Sequence, residues 1–262
     1  MKIKPAISYL NYLLKSKGKH SLHSPFVFDF TTKVINDHQV YNDYNIIAEI
    51  NSDLLKNRNV IETDDFGSGA GNKPFATYRI AINKLAKKRN NSQKMCRLLY
   101  RTVKYFRPEH MLELGTSFGV STLALSLGNP KAGITTVEGC ATVASTAEGV
   151  FSKAGLQNIN IVIGNFDKVL ANTIEKLPRL DLVFFDGNHR KAPTLDYFNQ
   201  CLVKAVDQSV FIFDDIHWSA EMEEAWEIIK QHPSVSISLD CYHLGFVFFR
   251  KGIEKQHFVL KT

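Results

Sequence analysis

From Met111 onward, short strand-like runs alternate with stretches of helical periodicity, and this alternation restricts the fold more than any other feature of the chain. The runs are Met111–Leu114, Ile134–Glu138, Ile159–Ile163, Leu180–Asp186 and Ser209–Asp214; helical spacing covers 121–127, 141–154, 168–177, 194–206 and 220–230. Leu182-Val183-Phe184-Phe185 is apolar at every position, as a strand covered on both faces must be. Strict alternation predicts an α/β fold with a mostly parallel, doubly wound sheet. Two last runs, Ser234–Leu239 and Phe246–Arg250, are joined only by a short link through Gly245. A parallel crossover needs about a dozen residues or more, so this pair is expected to close the sheet as an antiparallel hairpin. Seven strands result.

A parallel sheet places its chemistry at the carboxyl ends of its strands. The first run leads into Gly115-Thr116-Ser117-Phe118-Gly119, after which a helix opens with Val120-Ser121-Thr122. Glycine admits positive φ and close approach of backbone to a ligand, and a helix start offers free N–H groups. Glu138, followed by Gly139, ends the second run, where a carboxylate can accept both hydroxyls of a ribose. Gly164-Asn165-Phe166-Asp167 follows the third, Asp186-Gly187-Asn188-His189 the fourth, and Asp214-Asp215-Ile216-His217-Trp218 the fifth. Acidic and polar groups therefore collect at one edge. The glycine spacing is not G-x-G-x-x-G and no Walker lysine follows, which disfavours a dinucleotide or a nucleoside triphosphate.

Glu113-Leu114-Gly115 with Ser121-Thr122 resembles motif I of the class I S-adenosylmethionine (SAM)-dependent methyltransferases, closest to the catechol O-methyltransferase-like group and related bacterial small-molecule O-methyltransferases. The Rossmann-like seven-stranded sheet resembles that fold too, over about residues 108–252. The resemblance implies SAM as cofactor, with Glu113, Gly115, Thr116, Ser117, Gly119, Ser121, Glu138, Gly139, Asn165, Phe166 and Asp186 around it: the glycine turn and serine at the methionine end, Glu138 on the ribose, Asn165 and Phe166 beside the adenine. It also implies a Mg²⁺ site at Asp186, Asp214 and Asp215. Carboxylates without a soft ligand suit such an ion, which would acidify a coordinated acceptor hydroxyl. Two departures stand out. The family's Asp-Asn pair is Asp214-Asp215 here, and its general-base lysine, three residues after the first metal aspartate, is His189. Histidine titrates near neutrality and suits the base role; Asp186 is the second catalytic candidate. For the acids, a helix N-cap is the structural alternative; for His217 and Trp218, a substrate wall stands beside simple packing.

The expected function is methyl transfer to a hydroxyl of a small molecule with help from a divalent metal. Alternatives are a metal-independent N- or carboxyl-methyltransferase, an RNA- or nucleotide-directed enzyme using a basic N-terminal region, and a binding module without catalysis. Residues 1–107 carry 19 Lys/Arg against 8 Asp/Glu, and residues 108–262 carry 13 against 18. The positive half suggests an anionic partner or acceptor. Nucleic acid is not favoured, because no Asn/Asp-Pro-Pro-Tyr/Phe follows the fourth strand.

Residues 1–107 are expected to be mainly helical, a cap, substrate or dimerisation region ahead of a SAM-binding domain over 108–262. Helical spacing is read over Tyr78–Lys88 and Ser92–Phe106, and little pattern over 37–74. Asp65-Phe66-Gly67-Ser68-Gly69-Ala70-Gly71 imitates a nucleotide loop, but no strand is read before it; a loop or lid is expected. His20, His23 and Ser24-Pro25-Phe26 are read as a turn leading into an aromatic segment, Phe26, Phe28 and Phe30. No run of about 18 apolar residues suggests a membrane span. Met1–Leu14 reads as an amphipathic helix rather than a signal peptide. Four widely spaced cysteines read as reduced, buried thiols of a cytoplasmic protein.

Overall fold

The computed structural model describes residues 9, 10, 12–16, 18, 23–65 and 76–261. His20 and the Gly67–Gly71 loop lie outside the described residues. Two compact units divide the chain: Asp37–Lys176, and Met1–Asn36 together with Leu177–Thr262. Elements are numbered in chain order.

The unit Asp37–Lys176 begins with α2 (Asp43–Lys56), a two-stranded ribbon of β1 (Val60–Asp65) and β2 (Ala76–Ala81), α3 (Ile82–Arg89) and α4 (Gln93–Phe106). Then β3 (His110–Leu114), α5 (Val120–Gly128), β4 (Gly133–Glu138), α6 (Ala141–Lys153), β5 (Ile159–Ile163) and α7 (Phe166–Glu175) alternate. β4 pairs in parallel with β3 and with β5, Leu112 lying opposite Thr135 and Val137 opposite Val162. Each connection carries a helix, as parallel neighbours require.

The ribbon corrects two expectations. Residues 60–65 and 76–81 pair antiparallel, Ile61 opposite Ile80 and Thr63 opposite Tyr78. The polar Glu62-Thr63-Asp64 is therefore strand, and the helix read over Tyr78–Lys88 starts only at Ile82. A two-stranded ribbon has no second buried face, so its sequence lacks the apolar run by which the other strands are recognised. In α4, Ser92 accepts a hydrogen bond from the Met95 amide at 3.2 Å, and the helix ends at Arg107 in the left-handed region (φ 51°).

The second unit starts with helical turns at 12–15 and α1 (Pro25–Phe30), which runs on as a π-helical turn, Thr31–Ile35. Ser24 caps α1 and Pro25 occupies its first turn, a position where proline's missing N–H costs nothing. Phe26 and Phe30 stack edge-on against Phe248 and Phe246, ring centroids 4.9 and 5.4 Å apart, while Phe28 remains exposed. β6 (Leu180–Phe185), α8 (Lys191–Leu202), β7 (Ala205–Asp214), α9 (Ala220–Gln231), β8 (Ile237–Cys241), β9 (Leu244–Phe248) and β10 (Gln256–Val259) follow. β6 and β7 are parallel; β9 runs antiparallel to both β7 and β8; β10 lies parallel to β8.

The terminal antiparallel hairpin is present, with Gly245 inside β9 and the turn at Tyr242-His243. Seven strands become eight, three in the first unit and five in the second, because β10 was not anticipated. All four cysteines are buried and none is in a disulfide. Among the described residues no helix is long and apolar enough to cross a membrane.

One close approach fixes the packing of α4 on α5. A Cβ at Gly128 would lie 2.7 Å from Val103 Cβ and 2.8 Å from the Tyr100 carbonyl oxygen. Gly128→Ala should lower the free energy of unfolding by about 1–3 kcal/mol, the usual range for overpacking. Urea denaturation followed by circular dichroism measures this, and an unchanged midpoint would contradict the tight crossing.

Candidate active site

In the first unit, the end of β3 and the end of β4 build one half of the chemistry. Glu113 is fully buried and accepts hydrogen bonds from the hydroxyls of Thr122, on α5, and Thr136, on β4 (2.6 Å for the latter). The hydroxyl of Thr136 also lies 2.6 Å from that of Thr116. Glu113, Thr116 and Thr122 thus form the framework beneath the glycine turn. The turn takes left-handed or positive-φ backbone at Gly115 (108°), Ser117 (47°) and Gly119 (80°). At Gly119 a reason appears that the sequence does not show. A Cβ there would come within 2.6 Å of Phe151 Cζ, so the glycine also admits α6.

Glu138 is almost fully buried. The Ser117 amide donates to one of its oxygens at 2.9 Å and the Cys140 amide to the other at 3.0 Å. A carboxylate has about four acceptor positions; with the Gly139 amide also acting on Glu138, capacity remains for a ligand hydroxyl. Burial raises the pKa of Glu138; the amides of Cys140 and Ser117 and the charge of Arg89 oppose that rise. Ser117 Oγ is buried and lacks a hydrogen-bond partner among the described residues. An orphaned hydroxyl beside a braced carboxylate fits a polar, hydroxyl-bearing nucleoside. Ser121 is buried in the first turn of α5, and Gly139 is half-buried. Asn165 caps α7 through the Asp167 amide (2.9 Å), and Phe166, half-buried, begins that helix. Arg89 was missed from sequence; its only signal was the run Lys87-Lys88-Arg89.

In the second unit the ends of β6 and β7 bring Asp186, His189, Asp214 and Asp215 to one edge. His189 Nε2 lies 3.7 Å from Asp186 Oδ1, both side chains largely buried. Asn188, with φ 61°, donates to Tyr197 Oη at 2.9 Å and shapes the turn between them. Asp186 does not cap α8, whose N-cap is Arg190, and Ser219 rather than Asp214 or Asp215 caps α9. Asp214 is buried at the end of β7, and its pKa is pushed well up by burial, by the charges of Asp186 and Asp215, and by a hydrogen bond with Asp186. Asp215 turns the chain with φ 54°. His217 bonds Asp240 at 2.9 Å and Glu223 at 3.0 Å. Burial lowers its pKa, but these two carboxylates outweigh that and the net shift is upward. Trp218 is 65% exposed and so does not pack.

The acids do not fit a divalent ion as they are arranged. Among the described residues, no group of three His, Cys, Asp or Glu is placed to hold a metal.

Residues 112–216 match the family model described as a methyltransferase domain. No curated protein matches the chain. Solved structures share the fold at low identity. The SAH-bound methyltransferase PaMTH1 of Podospora anserina is 14% identical, with a TM-score of 0.59 over 88% of this chain and 98% of its own. The O-methyltransferase of Bacillus cereus in complex with SAH is 18% identical, TM-score 0.55, over 85% and 97%. The O-methyltransferase TomG of Streptomyces achromogenes, in complex with SAM, is 19% identical, TM-score 0.54, over 62% and 82%. The chain shares the Rossmann-like fold of these methyltransferases, and residues 112–216 carry the match to a methyltransferase domain.

Asp214 gives a pH test. Its folded pKa lies above the ordinary 3.8. Above about pH 4 the unfolded chain releases that proton while the native state keeps it, so this group lowers stability as pH rises. Asp214→Asn should therefore raise the denaturation midpoint at pH 7–8 relative to wild type, and the gain should vanish near pH 3. Equal midpoints across that range would remove the strain assigned to Asp214.

Proposed function

We propose that this protein transfers the methyl group of SAM to a hydroxyl of a small, anionic molecule. The observation that carries the reading is Glu138, held by the amides of Ser117 and Cys140 with acceptor capacity to spare, beside a positive-φ glycine turn. Glu138 takes the ribose hydroxyls, Ser117, Ser121 and the turn amides take the methionine end, and Asn165 and Phe166 flank the adenine. Glu113 and Thr116 keep the turn in shape. The O-methyltransferases of B. cereus and S. achromogenes, named with SAH and SAM, support this reading.

His189 serves as general base toward the acceptor hydroxyl, with Asp186 holding the imidazolium once the proton has moved. Alignment of donor and acceptor supplies much of the rate, since positioning is worth ~7–11 kcal/mol in intramolecular analogues.

The anionic acceptor follows from charge. Residues 82–107 hold nine Lys/Arg and no Asp/Glu. On α4, Lys94, Arg97 and Lys104 are exposed and Arg101 half-buried, all at helical spacing. Arg97 lies over the ring of Tyr44 at 4.9 Å, and Lys104 over Tyr41 at 5.1 Å. The nearby carboxylates of Asp37 and Asp43 are taken by the hydroxyls of Tyr41 (2.8 Å) and Tyr100 (2.7 Å). Arg97 and Lys104 are thus held on aromatic faces.

Calorimetry with S-adenosylhomocysteine tests the cofactor. Wild type should bind, and Glu138→Ala should weaken binding about 10- to 100-fold, the loss expected for hydrogen bonds to a charged group; equal affinity would sink the assignment. Against a panel of hydroxylated anionic acceptors, activity should survive EDTA within about twofold and fall at least about 100-fold in His189→Gln. Loss of activity to EDTA, restored by Mg²⁺, would reinstate the metal at Asp186, Asp214 and Asp215.

A further inference from the structure

A second opening lies in the unit that contains β6–β10, at the other end of β7 from Asp214. It is a cavity of about 550 Å³ whose lining includes Asp207, Ser234, Phe249, Arg250, Lys251 and Lys255. β7 runs ten residues from Ala205 to Asp214, so the two ends are about 30 Å apart at ~3.3 Å per residue. The cavity is therefore separate from the acidic edge.

Three cations converge there against one acid. Lys255 is spoken for, donating to the carbonyls of Gln231 and His232 at 2.8 Å each, where it closes the end of α9. Lys251 pairs with Asp207 at 2.9 Å, both well exposed. Arg250 differs. Its guanidinium carbon lies over Phe26, 3.9 Å from the ring centroid. Its Nε is buried without a hydrogen-bond partner among the described residues. A buried charged donor left without an acceptor is unfavourable. Stacking on an aromatic face holds a guanidinium plane but leaves its in-plane N–H groups for an acceptor. Planar forks of this kind suit phosphate or carboxylate, bound through two parallel hydrogen bonds. Leu202, Val206 and Ile253 supply an apolar wall beside it.

We propose that this cavity is a binding site for an oxyanion, the phosphate or carboxylate group of a small molecule, with Arg250 as its principal donor and Lys251 as a second charge that Asp207 holds in reserve. The site does not depend on methyl transfer.

The test uses the full-length protein and inorganic phosphate, followed by calorimetry and by thermal unfolding, with sodium chloride at matched ionic strength as reference. Wild type should bind phosphate and be stabilised by it beyond the chloride control. Arg250→Met, which keeps bulk over Phe26, should weaken binding at least about tenfold, the loss of one charge-assisted pair. Asp207→Asn should tighten it by freeing Lys251. Acetate and butyl phosphate, run in parallel, separate carboxylate from phosphate sources and test the apolar wall. Stabilisation by S-adenosylhomocysteine should be the same in all three proteins. No phosphate effect beyond chloride in wild type, or the same affinity in Arg250→Met and wild type, would overturn the proposal. Should Arg250→Met fail to fold, an unchanged affinity in Asp207→Asn would overturn it equally.

Discussion

Beneath the glycine turn, a wholly buried carboxyl, Glu113, ties together three pieces of chain that the topology would otherwise leave independent. Thr122 and Thr136 donate to it, and Thr136 also bonds Thr116, so strand β3, helix α5, strand β4 and the turn share one polar node. Burying such a group is costly unless it is hydrogen-bonded, and this node supplies two donors to its Oε2. In return the backbone is fixed in positive φ at Gly115, Ser117 and Gly119, conformations an unsupported loop would abandon. Only in that geometry does the Ser117 amide point at Glu138. The braced carboxylate on β4 therefore depends on the buried one on β3, although they differ in exposure and role.

The acids of the other unit obey different physics. Asp186 and Asp214 stand at the ends of adjacent parallel strands, where neighbouring side chains are forced close. Burial and the charges of Asp186 and Asp215 push the pKa of Asp214 well above the ordinary carboxylate value. Asp186 also lies beside His189, its Oδ1 3.7 Å from Nε2. Two residues beyond Asp215, His217 bridges Asp240 and Glu223 and stacks on Tyr242. That clamp fastens the loop after β7 to β8 and α9, so the carboxylates at the strand end are not free to rearrange at no cost.

What could be read from the amino-acid order follows from which faces are buried. β6 and β7 announce themselves because burial on both faces demands apolar runs, as in Leu182-Val183-Phe184-Phe185 and Val210-Phe211-Ile212-Phe213, while β3 and β4 show shorter apolar stretches broken by Glu113 and by Thr135-Thr136. β10 escaped because Gln256-His257-Phe258-Val259 is short, lies at the end of the pairing order and is half polar. β1 and β2 escaped for the same reason, carrying Glu62, Thr63, Asp64 and Arg79 in a ribbon with no core of its own. Among candidate site residues, identity and strand-end position were legible for Glu138, Asp186 and Asp214. Their partners were not, because the hydrogen bond between Asp186 and Asp214, the packing of Gly119 on Phe151 and the influence of Arg89 are facts of three-dimensional proximity.

The charge asymmetry can now be given a mechanism-level meaning. Residues 82–107 carry nine Lys/Arg and no acid, so α3 and α4 keep a net positive charge, while the hydroxyls of Tyr41 and Tyr100 bond Asp37 and Asp43. The cost falls on those tyrosines: Tyr41 is pushed up to about 12 by burial and by its bond to Asp37, and Tyr100 rises for the same kinds of reason. Neither ionises near neutrality, so neither adds a negative charge to the patch. The resulting positive field reaches Glu138, whose pKa Arg89 pulls down against the effect of burial. A field of that sign favours the ionised form of Glu138 and opposes the effect of its burial, and it is of the sign that would suit the anionic acceptor proposed above.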